Sequence, residues 1–322
     1  MAIIYFDQWV YVTLLRSYKG SSPEYPKYAK ICQGLIESSN DRTNKFPLSL
    51  SHLHETLKRN KLSSRKELFK FMFDLSKFST IRPWTQVIDL EVRNAVLKSL
   101  GLKTENLSDF VFGDELVHCI GGIQEFESID PNKKVPDEIK EKIILDVFRN
   151  SELISDAFSK VKSIEHVDSF IQKNNELTQK LEVLRKKDYS NPDKKMRKNI
   201  SDVRFFIEII MDPIIKAATE FTFDSQKYTQ QILSSRESTI NFLKLIPTAY
   251  VFHILNEARN LNSSRPIEPN DFWDIATLAI SVPYCDVVVT EREWANILNK
   301  NKIGELYNTK ILHKIENLSE FI

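Results

Sequence analysis

A carboxylate standing at the end of an unbroken apolar run constrains this chain more than any other feature. Ile3-Ile4-Tyr5-Phe6 is β-branched and aromatic with no polar alternation, the pattern of a strand buried on both faces, and Asp7 follows at once. A strand covered on both faces belongs to a parallel sheet flanked by helices, so an α/β fold is expected. A charged group at that point is costly unless it is paired or holds a cation, and the neighbouring sequence offers no obvious basic partner.

The remaining elements follow from periodicity and punctuation. Helices are expected over Trp9 to Ser17 and Tyr25 to Ser38, then a second strand over Phe46 to Leu50. Ser51 is placed to cap a helix through His52, Leu53, Glu55 and Leu57. Helices from Lys66 to Phe78 and Trp84 to Ser99 are divided near Pro83, and the period is lost between Gly101 and Pro136, around Gly121-Gly122 and Pro131. Asp137 to Lys187 is charged and helical in spacing, Tyr189 to Asp193 interrupts it, and Val203 to Leu233 and Ile240 to Leu261 resume with longer apolar faces. Near the end a helix from Asp271 to Ile280 feeds a strand at Val287 to Thr290, and Lys310 to Ile315 adds another. Strands at both termini imply a discontinuous α/β domain, residues 1–100 and 240–322, whose first and last strands are neighbours, closed over an all-helical insertion, residues 101–239.

Composition narrows the chemistry. Forty-five Lys and Arg against 44 Asp and Glu leave a net charge of +1, so any nucleic-acid site must be local. Seven glycines suit a helix-rich chain, and neither GxGxxG nor GxxxxGK[ST] occurs, which removes the sequence case for a dinucleotide site or a P-loop. Cys32, Cys119 and Cys285 are odd in number, widely separated and without a CxxC pair, as expected of reduced, buried thiols in a cytoplasmic protein. No apolar run approaches the length needed to span a bilayer, so no membrane partner is expected.

Acids fall where strands end or helices begin: Asp7, Glu55, Asp271 with Asp274, and the stretch from Asp286 to Glu291. Ligands of parallel α/β sheets bind outside the carboxyl ends of the strands, so these acids could meet at one rim. Clustered carboxylates repel one another, and a hard cation such as Mg²⁺ or Mn²⁺ relieves that repulsion while activating water against a phosphodiester.

These motifs resemble the PIN domain superfamily of metal-dependent nucleases. Ile4-Tyr-Phe-Asp7-Gln-Trp9 looks like the strand ending in that family's first catalytic aspartate, closest to the branch that carries Tyr-Leu-Asp-Gln with a nearby Trp. Leu48-Ser-Leu-Ser-His-Leu-His-Glu55-Thr looks like the strand and helix bearing the family glutamate. Asn270-Asp271-Phe-Trp-Asp274, followed by Pro283-Tyr-Cys-Asp286-Val-Val-Val-Thr290-Glu291, is similar to the third-motif helix and fourth-motif strand. Sixteen residues from Asp274 to Thr290 match the family's step, which puts the third acid at Asp274. Asp271, Asp286 or Glu291 would complete the metal shell, and Glu293 also stands where the family often has an aspartate. The resemblance covers roughly Met1 to Lys98 and Ile240 onward. It implies a PIN-like endoribonuclease with Asp7, Glu55 and Asp274 as catalytic residues holding Mg²⁺ or Mn²⁺, and single-stranded RNA as substrate. Toxin, defence effector and RNA-processing roles stay open, as does an inhibitory protein partner.

Blander readings stand beside these. Asp271 and Asp274 have the spacing of an N-cap and N3 pair, and Glu55 taken alone is more often an exposed first-turn acid. His52 and His54, two apart on a helix, cannot readily share one ion and fit core packing or a surface imidazole, or one of them a phosphate contact. Arg185, Lys186 and Lys187 with Lys194, Lys195, Arg197 and Lys198 form the strongest basic tract, either a phosphate-tracking surface or a solvated helix end. Asn174, Asn175 and nearby leucines allow a homodimer through the insertion. The competing function is a catalytically silent PIN-like scaffold for protein or nucleic-acid binding.

Overall fold

A computed structural model describes residues 1–21, 25–120, 149–160, 193–262 and 266–322, with parts of 176–187. The expected connection around Gly121-Gly122 and Pro131, most of the helical run from Asp137 to Lys187, the break after Tyr189, and Asn174 with Asn175 lie outside the described residues. The chain divides into two compact units, Met1–Pro83 with Phe110–Val167 and Tyr284–Ile322, and Trp84–Asp109 with Asp168–Pro283. The sequence reading places its boundaries at 100 and 240 instead.

The first unit holds a four-stranded, wholly parallel sheet built from β1 (Ala2–Phe6), β2 (Asn44–Lys45), β5 (Val287–Val289) and β6 (Lys310–Leu312), in the order β2-β1-β5-β6. Strands from the two ends of the chain are neighbours, as the apolar runs predict: Tyr5 is in register with Val288, and Val288 with Ile311. Helix α1 (Gln8–Tyr18) follows β1, then α2 (Tyr25–Asn40), α3 (Leu50–Leu57) and α4 (Leu62–Ser76). Ile4, Phe6, Val10, Leu14, Leu35, Phe46, Met72, Val287 and Val289 belong to one buried core. The helix Ser151–Lys160 adds Phe158, whose ring meets Phe69 edge-on at 5.6 Å.

Two expectations need correction. The second strand pairs at Asn44–Lys45, not over Phe46 to Leu50. Phe46 and Leu48 are fully buried, but Leu48 bridges Thr80 rather than β1. The helix that follows is capped by Ser49, not Ser51. A two-stranded antiparallel pair, β3 (Thr80–Ile81) with β4 (Phe112–Gly113), was not expected, because two-residue strands carry no period.

The described part of the second unit is helical, beginning with α5 (Trp84–Ser99) as the spacing predicts. The single run expected from Val203 to Leu233 is broken. A π-helical turn at Phe206–Ile210 precedes Pro213, whose missing N–H removes a helix hydrogen bond, and Thr222 ends the next helix in a left-handed conformation. Trp84 stacks on Phe252 at 4.6 Å, and buried Glu91 accepts the backbone N–H and the hydroxyl of Thr248 at the start of the helix Pro247–Leu261.

Candidate active site

Asp7 sits where the strand-end reading puts it, at the carboxyl end of β1, and its backbone N–H continues the ladder to Val289 at 2.9 Å. Its side chain is the N-cap of α1: one carboxylate oxygen accepts the Gln8 N–H at 2.6 Å and the other accepts the Thr290 hydroxyl at 3.2 Å. The backbone N–H of Glu291 donates to it as well. Even so, burial and the neighbouring Glu291 charge push its pKa up to about 6. Thr290 is fully buried and fixes the carboxylate from the adjacent strand.

Glu55 lies on α3, half-buried, and burial, then the Asp7 charge, push its pKa up to about 7, against a lowering from Lys58. Glu291 contributes to the raising in both acids and is itself exposed. Asp7, Glu55 and Glu291 therefore form one electrostatically coupled set on the carboxyl side of the sheet, and neither Asp7 nor Glu55 has an ion pair among the described residues. No group of three or more His, Cys, Asp or Glu is arranged to hold a metal ion among the described residues. The donors at this end of the sheet, the Asp7 and Glu55 carboxylates with Glu291 nearby, are hard oxygens of the chemical type that Mg²⁺ and Mn²⁺ take, one or two at a time with water and substrate phosphate completing the shell.

Asp286 is corrected. It precedes β5, at the opposite end of the strand from Thr290, and its side chain accepts the Ile3 N–H at 2.7 Å while its backbone N–H bonds to Ile3 O. Four residues of strand, about 13 Å, separate it from the level of Asp7. It fastens the amino end of the sheet and is not a ligand alongside Asp7.

Asp271 and Asp274 belong to the helix Pro269–Tyr284, in the second unit. Asp271 is not the N-cap. Glu268 precedes the helix, and Asp271, at N3, reaches back to the Glu268 N–H at 2.8 Å. The same oxygen meets Arg259 Nε at 2.6 Å, in a pair almost fully buried on both sides. That carboxylate's charge is thereby matched. Asp274 is half-buried one turn later and is engaged in contacts of its own.

His52 and His54 are both buried, and burial lowers each pKa to about 4. The basic tract lies in the second unit, where Lys186, Lys187 and Lys195 are exposed, while Lys198 pairs with Glu257 at 3.3 Å. Arg185 is buried, donating to Asn262 O and pairing with Glu182 at 2.6 Å. All three cysteines are buried and free, and no helix among the described residues is long and apolar enough to cross a membrane.

Sequence reasoning passed over three residues beside the acids, Gln8, Thr56 and the hydrogen-bonding role of His52. The signal was present for one of them: Ser49-Leu-Ser-His52 is a capping-box spacing with an imidazole in the acid's place. No family model matches this chain, and no curated protein or solved structure matches it.

Proposed function

We propose that this protein is a Mg²⁺- or Mn²⁺-dependent nuclease of the PIN-like type, hydrolysing phosphodiester bonds in RNA. The observation that carries this reading is the placement of Asp7 at the carboxyl end of a parallel strand with Glu55 on the helix beside it, two carboxylates without an ion pair among the described residues, whose charged forms burial and mutual repulsion disfavour. Structural acids are normally placed as Asp271 is, with a cation to match them. Asp7 and Glu55 would hold the ion, with Glu291 next to them. When bound, it would neutralise charge on the scissile phosphate and lower the pKa of a water. The chain's own share is positional. Gln8 N–H, Glu291 N–H and the Thr290 hydroxyl lock the Asp7 carboxylate and leave one of its four lone pairs for a cation, and the Glu291 side chain beside it is exposed.

The test uses labelled single-stranded RNA and DNA with Mn²⁺ or with EDTA. Wild type should cleave RNA only with the metal, and Asp7→Asn and Glu55→Gln should each lose about 100-fold or more while remaining folded. Asp274→Asn tests the role that the resemblance assigns to that residue. Equal cleavage by wild type, Asp7→Asn and Glu55→Gln would overturn the reading. The absence of a three-ligand group among the described residues favours the second reading, a silent scaffold, which requires that Mn²⁺ give no thermal stabilisation.

A further inference from the structure

Two buried side-chain hydrogen bonds tie the β1–α1 junction to α3, and they bracket the two acids. On one side, His52 Nδ1 accepts the backbone N–H of Ser49 at 2.9 Å, which leaves the ring proton on Nε2, and Nε2 donates to the carbonyl of Phe6 at 2.7 Å. On the other, Gln8 Nε2 donates to the Thr56 hydroxyl at 2.7 Å. Phe6 and Gln8 are the two neighbours of Asp7, and His52 and Thr56 stand three residues before and one after Glu55 on the same helix. All four groups are buried. The imidazole cannot swing away, because Tyr5 packs on it at 5.2 Å, Tyr11 meets it edge-on at the same distance, and Tyr5 and Ser49 hydroxyls lie within hydrogen-bonding reach.

Hydrophobic packing alone would allow α3 to slide against β1 by fractions of an ångström, since dispersion contacts are individually weak and non-directional. Two directed bonds on either side of a carboxylate pair remove that freedom. We propose that His52 and the Gln8–Thr56 pair are positioning residues that set the separation of Asp7 from Glu55 and thereby the affinity for a divalent cation. This rests on the metal-dependent reading above and adds the residues that prepare the site.

The experiment measures the Mn²⁺ dissociation constant of the full chain, by calorimetric titration and by the electron paramagnetic resonance signal of free Mn²⁺, alongside melting temperature and the kcat and KM for RNA. Thr56→Val removes one hydroxyl and little volume, so it folds where a larger change would not. It should weaken Mn²⁺ binding about tenfold or more, lower kcat at fixed metal, leave KM for RNA little changed, and be rescued by excess Mn²⁺. His52→Phe should behave in the same way, and His52→Gln, which can still donate to Phe6 O, should recover part of the affinity. Leu35→Ala, a core cavity at a residue that takes part in neither bond, should lower the melting temperature and leave the Mn²⁺ affinity alone. Thr56→Val with wild-type Mn²⁺ affinity and a lower melting temperature would show that the bonds serve stability only and would sink the inference, with the nuclease reading untouched. Failure of the wild type itself to bind Mn²⁺ would overturn the nuclease reading and this inference together.

Discussion

Asp7 is held in place by donors and is still an uncomfortable anion, and this combination has a measurable sign. Its folded pKa, about 6, stands above its ordinary value, so between about pH 4 and 6 the folded state binds more protons than the unfolded chain, and metal-free stability falls as pH rises through that window. Glu55, raised to about 7, extends the loss toward neutrality. After allowance for partial exposure, the Asp7 contribution is about 1–2 kcal/mol. Asp7→Asn keeps an N-cap oxygen and removes the charge, so at pH 7.5 in EDTA its melting temperature should exceed wild type by about 2–4 °C even as cleavage is lost. In the wild type, stabilisation by Mn²⁺ should be large at pH 8 and nearly absent at pH 5, where protons have taken the cation's place. A melting curve of Asp7→Asn at or below wild type in EDTA would show that this carboxylate is not destabilised by its surroundings. The residue was legible because a carboxylate closing a doubly buried apolar strand is too costly to stand there without a partner or an ion. The bonds of His52, Gln8 and Thr56 were not legible, since they depend on two segments about 45 residues apart meeting in one register.

At the scale of elements, position along a strand or helix decides which acids are structural. Asp286 and Thr290 flank the three residues of β5, so chain direction puts them at opposite ends of the strand, and what the sequence leaves open is which neighbour each end meets. The register answers it: Asp286 lies before the sheet's amino edge, bonded to Ile3, while Thr290 lies at the carboxyl edge beside Asp7. Asp286→Ala should therefore cost about 1 kcal/mol in urea unfolding and leave Mn²⁺ affinity at the wild-type value. Asp271 makes the opposite point. Removing its charge leaves Arg259 buried and unmatched, so Asp271→Ala should cost about 3–5 kcal/mol, well beyond the effect of an exposed helix cap. A loss of Mn²⁺ affinity with stability intact would restore Asp271 to the ligand set. The mixed outcome for strands has the same origin. β1 and β5 could be read because three or more consecutive apolar residues are buried on both faces, whereas β2 is two polar residues whose pairing with Ala2 and Ile3 is dictated by the neighbouring core rather than by its own composition. Phe46 and Leu48 carried the visible hydrophobic signal, and their burial is real, yet it belongs to the core and to the Thr80 bridge.

For the whole molecule, a charge of +1 leaves affinity for a polyanion to be settled by where cations stand. The basic tract has seven members in sequence; among those described, Arg185 bonds Asn262 and Glu182, Lys198 pairs with Glu257, and the side chains of Lys186, Lys187 and Lys195 are exposed. A solvated helix surface and a phosphate-tracking surface are identical in composition and differ in how binding responds to salt, because each phosphate neutralised by a lysine releases condensed counterions. If the tract tracks a single strand, replacing those three lysines with glutamine should reduce the slope of log affinity against log salt by about 2, at about 0.7 for each contact. Affinity should fall alike for all RNA sequences, since phosphate contacts position a strand without reading it. Filter binding of the catalytically disabled Asp7→Asn protein between about 50 and 200 mM salt measures the slope without cleavage. An unchanged slope would assign the tract to solvation, and the cations that steer the substrate would then have to be sought on the unit that carries Asp7 and Glu55.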